Sequence, residues 1–238
     1  MNDWCAFDVA LEKYQGAFWW RDDDAVAETK ALHKLMELTD SVGAPLNLAV
    51  IPANLKDDLP KAIMDRNVTV SVHGWSHTNH APIGEKKAEF RTHRPVKMLI
   101  EEAAQGKKRL DDAFGEQSLP LFIPPWNRMD EELPLFEIGY RGLSVFGQRE
   151  VALQGNLVRF DSHVDPIDWR GSRSAVELQI IINNLTALMS SNAPIGIMTH
   201  HLVHDTAIWG LMSILVARLK KAGVTWLSAG DLLTFTGD

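Results

Sequence analysis

Three consecutive aspartates, Asp22, Asp23 and Asp24, follow an apolar and aromatic run of the sequence. Adjacent carboxylates repel one another, and the end of a strand would remove part of their hydration, so they need a compensating partner. A divalent cation is one such partner. The alternative is a helix cap, in which an aspartate accepts hydrogen bonds from backbone N–H groups. For Asp24 alone the two interpretations are balanced, whereas three aspartates in a row favour a metal site.

Two histidines, His73 and His77, are four residues apart after another apolar run. If this segment is helical, both imidazoles project from one face and can bind the same ion. Residue 74 is Gly, so the glutamate base of the H-E-x-x-H metalloproteases is absent. A histidine pair alone also fits ordinary packed or surface residues. Together with an aspartate from another strand, the pair makes two histidines and one carboxylate, a common open metal site.

Three further polar clusters follow apolar runs of the sequence. The segments Pro124–Asn127 and Asp165–Trp169 are turns by default, although Trp126 could serve as a flat platform for a sugar ring. His200 and His201 end a third run, and either could act as a general acid, because the unperturbed pKa of histidine is near neutrality.

Short apolar runs alternate with longer amphipathic stretches, and this alternation predicts the elements that position the polar clusters. Strands are predicted at 17–20, 46–51, 68–72, 121–123, 143–146, 157–160, 195–199 and 224–227. Helices are predicted at 27–39, 55–66, 95–114, 130–138, 175–189 and 206–222. The alternation indicates an α/β fold with a mostly parallel sheet, in a single domain over residues 1–238. Because ligands gather at the carboxyl ends of parallel strands, the clusters are expected to form one site.

Composition narrows the class of protein and its partners. The chain has 238 residues, 45% of them hydrophobic, and a net charge of −7, which argues against disorder and against nucleic-acid binding. Small molecules or neutral polymers are better candidate partners. Cys5 is the single cysteine, so no intramolecular disulfide is expected. The sequence shows neither a signal peptide nor an apolar run of the ~20 residues that span a bilayer, so we expect a cytoplasmic protein without membrane contact. The oligomeric state stays open.

In this order, the clusters resemble the five motifs of the polysaccharide deacetylase family, also called the NodB-homology group or carbohydrate esterase family 4. The segment RDDDA (21–25) is similar to T-F-D-D-G, HGWSH (73–77) to H-[ST]-x-S-H, IPPWN (123–127) to R-P-P-[YW]-G, DPIDW (165–169) to D-x-x-D-W, and IMTH (197–200) to L-x-L-H. The resemblance spans most of the chain.

The resemblance implies a distorted (β/α) barrel of about seven parallel strands that binds one divalent ion. Zinc is the expected metal, and cobalt, nickel or manganese would accept the same ligands. Asp23 would be the general base and His200 the general acid. The metal ligands would be Asp24, His73 and His77. Residues expected to contact the substrate are Trp75, Pro125, Trp126, Asn127, Asp168, Trp169 and His201, with Asp168 also a possible partner that fixes the tautomer of His200.

Three departures from the motifs leave alternatives open. Ile123 occupies the position of an arginine that pairs with the base in the family, and Arg21 and Arg128 are the nearest replacements. Asp22 and Ala25 replace an apolar residue and a glycine, so the roles of base and ligand could shift by one position. His201 competes with His200 for the role of acid.

The leading hypothesis is a metal-dependent deacetylase that acts on an N- or O-acetylated carbohydrate. A second hypothesis keeps the metal site but makes the substrate a non-sugar amide of the cyclic imide or ureide type, with the region around His80 and residues 91–94 binding an anionic group. A third is a non-catalytic module that binds a sugar or a partner protein.

Overall fold

The computed structural model describes residues 4–130, 133–147 and 156–234. Eight parallel strands form one curled sheet with the order β6-β5-β4-β3-β2-β1-β8-β7. The strands are β1 Phe18–Ala25, β2 Leu46–Val50, β3 Val68–His73, β4 Ser118–Ile123, β5 Gly142–Leu143, β6 Val158–Arg159, β7 Ser162–Val164 and β8 Ile195–Thr199. The α/β fold and the distorted barrel expected from the sequence are confirmed, with eight strands instead of about seven.

Helices connect the strands and pack against the sheet. They are α1 Cys5–Lys13, α2 Lys30–Asp40, α3 Asp58–Ile63, α4 Val96–Phe114, α5 Leu178–Leu188, α6 Thr206–Ala222 and α7 Ala229–Thr234. Helix α6 begins after Asp205, whose carboxylate accepts a hydrogen bond from the backbone N–H of Ile208 at 2.8 Å. It ends at Gly223, which has a left-handed backbone with φ of +68°. Within the described ranges, every helix is too short or too polar to cross a membrane.

Strand β1 carries side chains of the candidate site on both of its faces. Trp20 belongs to the large apolar core that also contains helix residues, whereas Trp19 belongs to a smaller cluster on the inner side of the sheet. Successive side chains of a strand point to opposite faces. Arg21 and Asp23 therefore lie with Trp19 on the inner face, and Asp22 lies on the helix-covered face.

The structure corrects two predicted elements and adds others. The helix predicted at 130–138 is wrong: residues 131 and 132 lie outside the described residues, and residues 135–139 form turns. Pro134 lacks a backbone donor and disfavours helical geometry in the residue before it. The strand predicted at 224–227 is reduced to one isolated bridge between Phe18 and Trp226. Helices α1 and α7 and strand β7 were not predicted.

Strand β1 also continues further than predicted. It runs through all three aspartates and ends at Ala25. The other predicted helices and strands are confirmed, with ends that differ by a few residues.

Candidate active site

Asp24, His73 and His77 form a compact cluster of potential metal ligands at the carboxyl ends of β1 and β3. One ligand atom from each residue lies within 4.8 Å of the other two. Oδ1 of Asp24 is 3.2 Å from Nε2 of His73 and 3.3 Å from Nε2 of His77. The three residues that the sequence analysis named as ligands therefore lie together.

The hydrogen bonds around this cluster fit a divalent cation. Nδ1 of His73 is 3.0 Å from the carbonyl oxygen of Ile123, which can only accept, so Nδ1 carries the proton. In the neutral ring Nε2 then has a lone pair directed towards Asp24, whose Oδ1 is buried and receives no hydrogen bond. A lone pair and a carboxylate oxygen at this distance repel each other unless positive charge lies between them. A cation bound by all three side chains supplies that charge.

The electrostatics of the cluster point the same way. Burial alone would raise the pKa of Asp24, but the adjacent imidazoles of His73 and His77 outweigh burial and lower it. Burial alone would lower the pKa of His73, but the carboxylates of Asp24 and Asp23 outweigh burial and raise it. Without a metal ion, the carboxylate and the imidazole thus stabilise each other's charged forms, which shows that these side chains are close enough to share one cation.

A bulge in β1 brings two adjacent aspartates to the same cleft. The register of β1 against β2 shifts between Asp23 and Ala25, and Asp24 has a positive φ of +75°. Without the bulge, Asp23 and Asp24 would point to opposite faces of the sheet. The local twist turns Asp24 towards the two histidines while Asp23 stays on the inner face.

The histidine pair is presented by a loop, so the helical turn considered for this segment is wrong. His73 is the last residue of β3, and the chain then turns through left-handed backbone at Gly74, with φ of +61°, and at His77, with φ of +56°. The two imidazole centroids are 5.1 Å apart. The four-residue spacing therefore brings the rings together through a tight loop that permits the positive φ values.

Arg21 is the buried cation that contacts Asp23. It is 0% exposed, and its Nε lies 3.1 Å from Oδ1 of Asp23. Its other nitrogens donate hydrogen bonds to Oγ of Ser144 at 2.8 Å, to Oδ1 of Asn127 at 2.5 Å and to the sulfur of Met198 at 3.0 Å. Arg21 therefore joins the ends of several strands around Asp23.

These contacts decide between the two candidate replacements for the arginine missing at position 123. Arg128 donates a hydrogen bond to the backbone carbonyl of Lys87 at 2.9 Å. Arg21 lies two residues before Asp23 on the same face of β1, so it reaches the carboxylate directly. Arg21, and not Arg128, is the arginine beside the expected base.

Asp22 and His201 form a separate buried pair on the other face of β1. Nδ1 of His201 hydrogen-bonds to Oδ1 of Asp22, and Oδ2 of Asp22 accepts from the backbone N–H of His201 at 2.9 Å and from Oγ1 of Thr199 at 2.7 Å. His201 is 1% exposed. The ring of His201 is thus engaged through Nδ1 with Asp22, while its Nε2 is buried without a hydrogen-bond partner. Its contact with the substrate, and its competition with His200 for the role of acid, stay predictions.

His200 lies beside the metal-ligand cluster and next to an aromatic ring. Its charge contributes to the lowered pKa of Asp24, so the two groups are electrostatic neighbours. The ring of Trp169 packs edge-on against His200 with centroids 4.9 Å apart, and Trp169 is 37% exposed. Trp169 is therefore available at the rim of the cleft.

Asp165, and not Asp168, is the carboxylate directed to this region. Oδ2 of Asp165 accepts a hydrogen bond from Nε1 of Trp169 at 2.7 Å, and burial raises the pKa of Asp165 even though the charge of His200 lowers it. Asp168 lies in an exposed turn, where its carboxylate accepts from the backbone N–H groups of Gly171 at 3.0 Å and of residue 172 at 2.9 Å. The expectation that Asp168 orients His200 or binds the substrate is thus wrong, because its oxygens close a local turn.

The turn after β4 supplies an aromatic ring at the cluster. Trp126 has a positive φ of +54°, and its ring centroid is 4.3 Å from that of His77. Asn127 follows in the same conformation, and its side chain accepts from Arg21. Pro125 is buried in the same turn, and its contact with the substrate stays a prediction. Trp75 is partly buried and packs against the large core, which is a packing role.

Two residues of the site gave little or no signal in the sequence. Asp165 stands at the first position of the D-x-x-D-W motif, so the motif itself contained the correct residue. Glu89 is buried and accepts hydrogen bonds from the loop that carries His77. It belongs to no motif, and only its position as a charged residue between two apolar ones, Ala88 and Phe90, marks it.

Neither a protein-family model nor a curated protein sequence matches the chain. Solved structures do match along most of its length. The peptidoglycan deacetylase PdaC from Bacillus subtilis has a TM-score of 0.61 and 14% identity, over 92% of this chain and 91% of that one. A family 4 acetyl xylan esterase from Clostridium thermocellum, in complex with a cobalt ion, has a TM-score of 0.57 and 13% identity, over 91% and 90%.

A third structure has the same fold but is described as a pseudoenzyme of carbohydrate esterase family 4, from Bacillus anthracis. Its TM-score is 0.61 at 14% identity, over 92% of this chain and 66% of that one. At such identities the similarity shows the fold. The chain therefore has the NodB-like distorted barrel of the polysaccharide deacetylases of carbohydrate esterase family 4.

Proposed function

We propose that this protein is a metal-dependent hydrolase that removes acetyl groups from an N- or O-acetylated carbohydrate. The observation that carries the proposal is the cluster of Asp24, His73 and His77, with Asp23 and His200 beside it. A cation site, a proton acceptor and a proton donor are the parts that hydrolysis of an acetyl group requires. The fold shared with family 4 deacetylases supports the same reaction class.

Asp24, His73 and His77 would hold one divalent cation. Zinc is the first choice, because two histidines and one carboxylate are a common open zinc site. Cobalt, nickel or manganese would accept the same ligands. When bound, such an ion supplies Lewis-acid chemistry, which lowers the pKa of water and polarises a carbonyl group.

Asp23 is the group best placed to accept the proton of the attacking water. Its carboxylate is 1% exposed and adjoins the ligand Asp24 in the chain. Arg21 faces both oxygens of Asp23, at 3.1 and 3.2 Å, so the guanidinium fixes the direction of the carboxylate. Arg21 would thus act through Asp23 as a positioning residue.

His200 is the group proposed to protonate the leaving amine or alcohol. Its ring is held edge-on by Trp169, and Asp165 lies on the other side of that tryptophan's N–H. An imidazole between a cation site and a buried carboxylate can donate a proton and regain it from solvent. Asp165 would stabilise the protonated ring that forms in this cycle.

Two aromatic rings favour a saccharide as the substrate. Trp126 lies beside His77, and Trp169 lies beside His200 at the rim. Aromatic faces on both sides of a polar centre suit the apolar faces of sugar rings. PdaC is a peptidoglycan deacetylase, and the Clostridium thermocellum protein is an acetyl xylan esterase. Both names indicate acetylated saccharides as substrates.

A non-catalytic binding module is the second candidate, and the pseudoenzyme neighbour favours it. Such a module would keep the aromatic rim and lose the reaction. The cyclic-amide alternative has less support, because the cations expected to bind an anionic substrate face acidic partners: Arg91 is 3.7 Å from Asp130, and Arg94 pairs with both oxygens of Glu102.

Metal content and acetate release together test the proposal. The wild-type protein supplied with zinc is expected to bind about one equivalent and to release acetate from acetylated glucosamine oligomers or xylo-oligosaccharides. Asp24→Ala is expected to lose both properties, and Asp23→Asn to keep the metal and lose acetate release. Asp168→Asn is the matched control, because that carboxylate closes an exposed turn, and it should keep both.

Two outcomes would reject the proposal in different ways. A wild-type protein that binds zinc but releases no acetate from any acetylated saccharide would favour the binding module. A wild-type protein that binds no divalent metal would remove the hydrolytic mechanism altogether.

A further inference from the structure

Glu89 is a buried carboxylate in a segment without helix or strand. The residue is 0% exposed, and its two oxygens accept hydrogen bonds from one stretch of backbone. Oε1 accepts from the backbone N–H of Ser76 at 2.7 Å and from its Oγ at 2.9 Å, and Oε2 accepts from the backbone N–H of Trp75 at 3.1 Å. Burial of a carboxylate is costly unless such donors surround it, so this arrangement is specific.

The stretch that donates to Glu89 is the loop between the two histidines of the metal-ligand cluster. This loop needs external support, because His77 has a left-handed backbone that costs about 1–3 kcal/mol in a residue other than glycine. Such a conformation persists only when surrounding contacts hold it. The donors of Ser76 and Trp75 are fixed by Glu89, and the next residue is His77.

The residues on either side of Glu89 are buried and pack against the sheet. Its neighbours Ala88 and Phe90 are both 0% exposed, and the ring of Phe90 packs edge-on against Phe122 of β4 at 4.9 Å. The backbone of Phe90 also accepts a hydrogen bond from Asp130 at 3.0 Å. Glu89 is thus anchored to the sheet independently of the loop that it holds.

The loop approaches Glu89 as closely as its backbone allows. A Cβ atom at Gly74 would lie 2.2 Å from Oε2 of Glu89 and 2.5 Å from Cγ of Pro125. The absence of a side chain at this position therefore lets the loop close over the carboxylate.

We propose that Glu89 is a positioning residue of the metal site, whose carboxylate holds the loop 74–78 so that His77 faces Asp24 and His73. The inference rests on the proposed metal site and adds a residue that lies outside every motif of the chain. Groups behind metal ligands typically contribute about 10–100-fold to metal affinity. Glu89 acts indirectly, through the backbone of the loop that carries His77.

The test is a zinc titration of the metal-free, full-length protein against a chromophoric chelator. Glu89→Gln keeps the size of the side chain but replaces one acceptor oxygen by an NH₂ group that faces backbone donors. We expect the Kd for zinc to rise at least about tenfold. Glu85→Gln is the control, because Glu85 lies in the same segment with a side chain that is 51% exposed, and its Kd should match that of the wild type.

Urea unfolding of the metal-free variants separates positioning from general stability. If Glu89→Gln lowers the free energy of unfolding but leaves the Kd of the folded protein unchanged, Glu89 is only a structural residue and the inference is wrong. If Glu89→Gln does not fold, Ser76→Ala takes its place, because it removes one donor to the carboxylate from a partly exposed side chain. A severalfold weaker Kd in Ser76→Ala supports the inference, and an unchanged Kd overturns it.

The same titration distinguishes this inference from the proposed function. A wild-type protein that binds no zinc overturns both. A wild-type protein that binds zinc as tightly as Glu89→Gln overturns only the role of Glu89.

Discussion

Each of the three consecutive aspartates has a different partner, and this explains how three adjacent carboxylates are tolerated in the interior. Strand alternation sends Asp22 to one face and Asp23 to the other, and the bulge turns Asp24 into the cleft. Asp22 and Asp23 then each meet a buried donor or cation, and Asp24, which is 33% exposed, lies beside two imidazoles where a bound cation would compensate its charge. The partners are His201 for Asp22, Arg21 for Asp23, and His73 with His77 for Asp24.

Arg21→Met tests the charge balance on the inner face of β1. The substitution keeps an unbranched side chain but leaves Asp23 buried without its cation, and breaking a buried pair costs about 3–5 kcal/mol. We expect the free energy of unfolding in urea to fall by about this amount. Arg66→Met is the control, because Arg66 pairs with Asp40 at the surface and should cost about 1 kcal/mol or less.

A double variant makes the same prediction more specific. Asp23→Asn removes the stranded charge, so it should recover part of the stability that Arg21→Met loses. Equal losses for Arg21→Met and Arg66→Met would contradict the assignment of Arg21 as the partner of Asp23.

His204 gives a prediction for pH. Burial lowers the pKa of His204 from 6.5 to about 4, and its ring packs edge-on against Trp209 at 4.6 Å. Between these two pH values the unfolded chain binds a proton that the folded protein does not bind. The contribution of His204 is therefore complete above pH 6.5 and is lost as the pH falls towards about 4.

His204→Gln should accordingly flatten the pH dependence of stability. The slope of the free energy of unfolding against pH, measured by urea unfolding between pH 4 and 6.5, should decrease by up to about 1 kcal/mol per pH unit. Parallel curves for wild type and His204→Gln would exclude a neutral, partly buried His204.

At the scale of elements, the site depends on two local irregularities at the ends of regular strands. The bulge at Asp24 shifts the register of β1 against β2 just before its last residue, Ala25, and the left-handed turn at Gly74 follows the end of β3. Each irregularity turns a side chain to a side of the sheet that the regular alternation of a strand would not give to that position. The proposed metal ligands are therefore placed by backbone conformation as much as by residue type.

Gly74→Ala tests this dependence, and Gly43→Ala is its matched control. Both glycines have a left-handed backbone, with φ of +61° and +69°, so both substitutions carry the same cost of about 1–2 kcal/mol. Only at Gly74 would the new Cβ meet other atoms, Glu89 and Pro125, whereas nothing lies within 4 Å of a Cβ at Gly43. We expect Gly74→Ala to lose more stability and also to weaken zinc binding.

The two measurements are urea unfolding and the zinc titration. Gly43→Ala should change stability alone, with the Kd for zinc unchanged. A Kd that changes equally in both variants would show that backbone strain, and not the close approach to Glu89, controls the site.

The strand and helix pattern was predictable because most elements are long and periodic. Strand β3 and helix α6 lie within one residue of their predicted ranges, since β-branched runs and an Asp cap with a Gly stop are local signals. The helix predicted at 130–138 failed because Pro134 in its middle disfavours helical geometry. Strand β7 was missed because three residues are too few to show a period.

At the scale of the whole molecule, the proposed metal ligands could be predicted from the sequence, whereas the residues that hold the site in place could not. Parallel strands bring their carboxyl ends to one edge, so polar residues after strands identify Asp24 and His73. Arg21 donates hydrogen bonds to Ser144, 123 positions away, and to Asn127, 106 positions away, because the curled sheet brings these segments together. No local pattern contains such contacts, and the same holds for the loop that Glu89 supports.

Metal binding should therefore stabilise the whole curled sheet, because the ligands come from the ends of β1 and the β3 loop. A ligand that binds only the folded state stabilises it by about 2.7 kcal/mol at one hundred times its Kd. For a chain of this size the midpoint of thermal unfolding should rise by roughly 5–10 °C with zinc and return with a chelator. His77→Ala removes one ligand at a partly exposed position, so its midpoint without metal should stay near that of the wild type while the rise with zinc disappears. An equal rise in wild type and His77→Ala would place the zinc elsewhere on the protein and separate metal binding from this cleft.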